Sequence, residues 1–206
     1  MLKLRTKLLL LAIAVFGIGI GVPSARADVI GIDAPFGWPE AFVKAVADWR
    51  LDGWTSESRD HLQLRETNRV VRDHVGRRPL SVSTDRIALP AMRAMALLRR
   101  HGVTNRRGDG RFFEVYPAGS LFCWKLRCRG YKRIDDEWAI VRREILSELQ
   151  TKLRWLDVPD SYAESADSLD ALVASLTARA AEQGFTMRPN QSELALTNRE
   201  GSILHT

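Results

Sequence analysis

Ile30-Gly31-Ile32-Asp33-Ala34-Pro35-Phe36-Gly37-Trp38-Pro39 is the stretch on which the fold class turns. Asp28 to Asp33 is a short β-branched run ending in an acid, the pattern of a buried parallel strand that delivers a carboxylate at its C-terminal edge. Ala34 to Pro39 forces a turn. Pro39 suits a first helical position, and Phe42, Val43, Val46 and Trp49 follow at 3.6-residue spacing, so a helix is expected to about residue 50.

Outward from this unit, residues 51–60 read as a polar loop and Arg69 to Val75 as a short helix. Gly76 to Pro79 breaks the chain. Thr84 or Asp85 can cap a long helix bearing Ile87, Leu89, Met92, Met95 and Leu98, which Gly102 closes. Arg111 to Tyr116 is a second buried strand stopped by Pro117. Helices are expected at 118–126 and 135–154, and another from near Asp167, whose stripe of Leu169, Leu172, Val173, Leu176 and Ala180 ends before Gly184. Residues 185–206 carry only weak signals for a short strand or turn. Strands alternating with helices indicate an α/β domain with a mostly parallel sheet.

A chain of 206 residues holds one ordinary domain, and 45% hydrophobic with 27% charged residues excludes a disordered or multi-span membrane protein. Net charge is +6, but Lys3, Arg5, Lys7 and Arg26 lie in an acid-free stretch; without residues 1–27 the count is 27 basic against 25 acidic. Such a body is weak evidence for nucleic-acid binding, and Arg106–Arg107 and Arg142–Arg143 read as solvated faces. Cys123 and Cys128 have no neighbours that complete a zinc pattern and read as reduced thiols, with a disulfide between them only in an exported protein.

Residues 1–27 have the three parts of a secretory signal: Lys3, Arg5 and Lys7, the apolar run Leu8 to Val22, and Ala25-Arg26-Ala27 as a cleavage site. That run is shorter than the roughly 20 residues a membrane-spanning helix needs, so no stable span is expected. Buried structure within the domain is the competing reading of the same run.

Three carboxylates sit where an α/β fold can gather them: Asp33 at a strand end, Glu114 on the second strand and Asp170 in the first turns of the final helix. Parallel sheets place ligands beyond the carboxyl ends of their strands, where oxygen ligands suit Mg²⁺ or Mn²⁺. Each has a plainer alternative: Asp33 caps a turn, Glu114 pairs with an arginine, Asp170 serves the helix dipole. Asp167 lies one turn before Asp170, and Ala171 and Ala174 permit close approach to the sheet. Asp85 reads as a cap, and Lys132 as a phosphate neutraliser or a surface lysine. No His pattern, Gly-x-Ser-x-Gly or phosphate loop is present, which removes serine hydrolases and P-loop enzymes.

Ile30 to Pro39, Pro79-Leu80-Ser81-Val82-Ser83-Thr84-Asp85-Arg86-Ile87, Glu114-Val115-Tyr116-Pro117, Gly130-Tyr131-Lys132 and Asp167 to Ala174 together resemble one family, domain of unknown function 429, described as predicted nucleases with a ribonuclease H-like fold. The resemblance covers about residues 28–204. It implies a cytoplasmic, metal-dependent hydrolase of nucleic acid in which Asp33, Glu114 and Asp170 are catalytic, Asp33, Asp167 and Asp170 hold Mg²⁺ or Mn²⁺, and Asp85, Arg86 and Lys132 bind substrate. Asn68, in Arg65-Glu66-Thr67-Asn68, stands where the family often has aspartate.

Family members normally begin with a strand carrying Gly-x-Asp, and in a ribonuclease H-like fold that strand is central and its aspartate bridges the metals. Residues 1–27 contain no acid. The N-terminal part of the sheet is therefore expected to be missing, either in a truncated relative fused to an export signal cleaved after Ala27 or through an altered gene start. Three readings follow: a divergent or truncated nuclease with little or no activity, a non-catalytic binding or interaction domain of the same fold, or, from the signal-like segment alone, an exported or membrane-tethered protein of unknown role.

Overall fold

A computed structural model describes residues 29–48, 54, 59–83, 85–133, 136–187 and 189–204. The signal-like segment, Asp28, Trp49, most of the expected loop at 51–60 and Thr84 lie outside these residues. So does the expectation that Leu8–Val22 leaves the sheet unfinished.

The described chain forms strand β1 (Ile30–Ile32), helices α1 (Glu40–Asp48), α2 (Arg59–Gln63), α3 (Glu66–Val75) and α4 (Asp85–Arg100), strand β2 (Phe112–Val115), helices α5 (Pro117–Cys123), α6 (Asp136–Lys152), α7 (Ala166–Glu182) and α8 (Leu194–Glu200), and strand β3 (Ile203–Leu204). The sheet is all parallel, in the order β1-β2-β3. Among the described residues this α/β architecture, a small parallel sheet flanked by helices, is consistent with part of a ribonuclease H-like fold. No helix among the described residues is long and apolar enough to cross a membrane.

Strand alternation sorts the sheet into two faces. Ile30 and Ile32 of β1 and Phe112 of β2 pack with Ala94 and Leu98 of α4. Gly31 points the other way, onto α7, where a Cβ would overlap the carbonyl oxygen of Ala174. Only glycine lets strand and helix approach so closely, and the small Ala174 anticipated in α7 meets it. Behind α7, Leu169, Leu172, Val173 and Leu176 join Val141, Ile145, Leu146 and Leu149 of α6 in the largest apolar cluster.

The apolar stripe of α1 places the helix without marking its buried face, and that of α4 marks it only toward the C-terminal end, where Met95 and Leu98 reach the core. Val43 and Val46 of α1 are 47% and 53% exposed, and the buried residue is Ala45. In α4, Leu89 and Met92 are exposed while Ala91 and Ala94 are buried. The tail forms the short strand its weak signals suggest, β3, and adds a helix they do not predict, α8.

Candidate functional site

Asp33 follows the last residue of β1 and, by alternation, continues the face of Gly31 toward α7. Asp170 sits one turn into α7 and is 4% exposed. The N-terminus of that helix is capped by Ser165, whose Oγ accepts the Ser168 N–H at 3.0 Å, so Asp170 is free of capping duty. Its Oδ1 accepts the Tyr131 hydroxyl at 2.7 Å and its Oδ2 lies 2.6 Å from Lys132 Nζ. The same ammonium is 3.9 Å from Asp33 Oδ2. The structure thus brings Asp33, Lys132 and Asp170 together.

The loop bearing Tyr131 and Lys132 is held by two devices. Gly130 has φ 85°, and a Cβ there would overlap the Trp138 ring; a side chain is excluded both by conformation and by space. Arg142 of α6, 4% exposed, donates to the carbonyls of Tyr131, Arg133, Ala163 and Glu164 at 3.0, 3.0, 2.9 and 3.1 Å. One guanidinium therefore ties the Lys132 loop to the segment leading into α7, using the fork of donors that arginine alone provides. The Arg142–Arg143 pair reads in sequence as a solvated face. The burial of Arg142 corrects that reading, and no local signal distinguishes it from its exposed neighbour Arg143.

Charge in the cluster is unbalanced. One ammonium faces the buried carboxylate of Asp170 and the partly exposed one of Asp33, and the excess falls on Asp33, the more distant. Burial pushes the Asp33 carboxyl up to about 7 against the pull of Lys132, with Asp170, Asp167 and Glu114 adding to the rise. Burial also raises Asp170, opposed by Lys132 and the Tyr131 hydroxyl. For Lys132 burial acts downward, but Asp170 and Asp33 outweigh it and lift the group above the ordinary lysine range.

Glu114 stands apart. It is partnered in register with Ile32, which puts it on the α4-facing side of the sheet, opposite to Asp33. There Arg65, 1% exposed, grips it with both terminal nitrogens, Nη1 to Oε2 at 2.9 Å and Nη2 to Oε1 at 2.5 Å, and the Phe36 N–H donates to Oε2 at 2.8 Å. Pairing with an arginine, the plainer alternative, is what the structure contains. Asn68 serves the same arrangement by accepting the Arg65 N–H and Nε–H, both at 3.1 Å.

Of the remaining candidates, Asp167 is exposed in the first turn of α7, close enough to raise both Asp33 and Asp170. Asp85 opens α4, and Arg86 lies exposed in its first turn. A divalent centre needs several oxygens converging on one point. Among the described residues no group of three or more His, Cys, Asp or Glu side chains is arranged to hold an ion. Lys132 Nζ stands where the charges of Asp33 and Asp170 meet, and Arg65 neutralises Glu114. The residues present do not fit a two-ion centre.

Beside Asp33 and Lys132 opens a cleft of about 230 Å³ with Pro35, Leu80, Ile87 and Tyr116 on its walls. A larger cavity, about 420 Å³, lies against Ala181 and Glu182, at the opposite end of α7 from Asp170.

Residues 12–194 match the family described as "Protein of unknown function (DUF429)". The chain belongs to this family. The match begins inside the apolar run Leu8–Val22, so the DUF429 pattern reaches upstream of β1. No curated protein and no solved structure matches the chain. In this DUF429 protein the signature segments found in the sequence fall around one cleft: Asp33 after β1, Pro79 and Ile87 on its walls, Lys132 at the loop and Asp170 behind it.

Proposed function

We propose that this protein recognises phosphodiester-bearing substrates at the Asp33–Lys132 cleft and has little or no Mg²⁺- or Mn²⁺-dependent nuclease activity. The observation that carries the reading is the position of Lys132 Nζ, 2.6 Å from Asp170 and 3.9 Å from Asp33. That ammonium is half exposed, and Asp170 uses only part of its three-donor capacity. A phosphate oxygen can take the outward donor. Asp33, protonated below about pH 7, then donates to a second oxygen rather than repelling it.

A second reading has its own support. A carboxyl that titrates near neutrality beside a cation has the property of a general base, so slow hydrolysis could proceed with Asp33 activating water and Lys132 holding the phosphate.

The deciding experiment incubates the full chain with single- and double-stranded DNA and RNA, in Mg²⁺, Mn²⁺ or chelator, beside an Asp33→Asn/Asp170→Asn control. Binding without metal-dependent cleavage is expected. Robust cleavage that needs the ion and vanishes in the control would overturn the proposal; cleavage that persists in chelator and requires Asp33 would establish the second reading.

A further inference from the structure

The surface next to the charged cluster has the wrong chemistry to serve phosphates alone. From Asp33 and Lys132 the cleft runs between Pro35, Pro79, Leu80, Ile87, Pro90 and Tyr116. Leu80 is 58% exposed and sits on a stretch with neither helix nor strand. Tyr116 follows β2 and is partly buried, packed against Val71, Val75 and Ile203, while contributing to the wall. Three prolines stiffen the lining. A mainly apolar concavity that begins at Lys132 and the adjoining Asp33, and whose other charged lining residues, Arg65 and Glu114, are already paired with each other, suits a ligand with a flat ring at one end and a negative charge at the other.

We propose that the cleft accepts one unstacked nucleobase while Lys132 contacts the adjoining phosphate. The assignment rests on the phosphodiester reading above and adds the substrate class, a single strand or strand end. Pockets for drug-sized ligands run to about 300–1,000 Å³, so a cavity of about 230 Å³ holds one ring system and not a stack. A base within a duplex is covered on both faces and enters a concave site only after being turned out of the helix, at the cost of its pairing and stacking. Single strands are therefore preferred over duplex. Because the walls are mainly apolar, every base can be received through its ring face, and sequence preference is weak.

The test is binding of the full chain to fluorescent oligothymidylate, to a strand of the same length whose bases are all replaced by abasic sites, and to the corresponding duplex, at low salt without metal. Oligothymidylate should bind about tenfold or more tighter than the abasic strand, in keeping with the worth of one stacked base, and tighter than duplex. Leu80→Ser, a neutral change at an exposed position, checked for an unchanged melting curve, should cut the preference for oligothymidylate over the abasic strand several-fold. Equal affinity for the oligothymidylate and abasic strands would overturn the base-cleft assignment and leave the phosphodiester reading intact. Binding of neither strand would overturn both, and duplex bound as tightly as single strand would refute the assignment.

Discussion

Lys132 Nζ lies 2.6 Å from Asp170 and 3.9 Å from Asp33, and two predictions concern this cluster. Replacing Lys132 by Met leaves Asp170 buried with only the Tyr131 hydroxyl, which should cost about 1–3 kcal/mol of stability. It also opens the position between the carboxylates, so Lys132→Met should gain stabilisation by Mn²⁺ that the native chain lacks, read as a metal-dependent rise in melting temperature. A variant indifferent to Mn²⁺ would show that the two carboxylates cannot share an ion. The second prediction concerns Asp33, raised from 3.8 to about 7. Between these values the native state holds a proton that the unfolded chain has released, so this group's contribution is greatest below pH 4 and declines as pH rises to 7. Asn cannot ionise. Asp33→Asn should thus match the native chain near pH 4 and exceed it above pH 7 by about 2 kcal/mol, after discounting for partial exposure. Melting curves at pH 4 and 8 decide it, and a variant less stable at pH 8 would be evidence against a strained carboxyl.

Between elements, Arg142 and Glu200 are two buried charged side chains that each tie several segments together. Arg142 joins α6 to the Lys132 loop and to the start of α7 through four carbonyls. Arg142→Met strands these acceptors and should cost about 3 kcal/mol, measured by denaturant unfolding; a loss below about 1 kcal/mol would mean that water replaces the arginine without penalty. Glu200, 5% exposed at the end of α8, accepts the Glu40 N–H at 2.7 Å and the Glu66 N–H at 2.8 Å. One carboxylate thereby serves the N-termini of α1 and α3, and Glu200→Ala should cost about 2 kcal/mol, with a neutral result in the same unfolding measurement excluding that role. None of these contacts has a local signature, because the partners of Glu200 lie 160 and 134 residues away. The stripe of α7 was legible because Leu169, Leu172, Val173 and Leu176 all face one cluster. That of α1 marked a helix but not its buried face, since periodicity records an amphipathic repeat and not which neighbour arrives.

Across the whole molecule, charge sets how substrate is held. With 27 basic against 25 acidic residues beyond the first 27 positions, a broad phosphate-binding surface is not expected, and Lys132 is the contact assigned. Single-strand affinity should then fall with salt at a log–log slope of about −1, given the roughly −0.7 contributed by each neutralised phosphate. A slope steeper than about −4 would reveal a basic surface elsewhere.

From the sequence alone came the α/β class, the strand delivering Asp33, the apolar stripe of α7 with Asp170 near its start, and Lys132 in its loop. These are local properties, encoded in β-branched runs, helical spacing and turn residues within a dozen positions. Tertiary structure decided which acids meet. Glu114 and Asp33 look equivalent as strand acids, yet the register Ile32↔Glu114 sends them to opposite faces, where Arg65 takes one and Lys132 faces the other. Tyr131 and Asp170 are 39 residues apart and Arg65 and Glu114 are 49 apart. Pairing over such separations is fixed by packing of the sheet against α4 and α7, since alternation along a strand tells which residues share a face but only the partner strand and covering helices determine what that face meets.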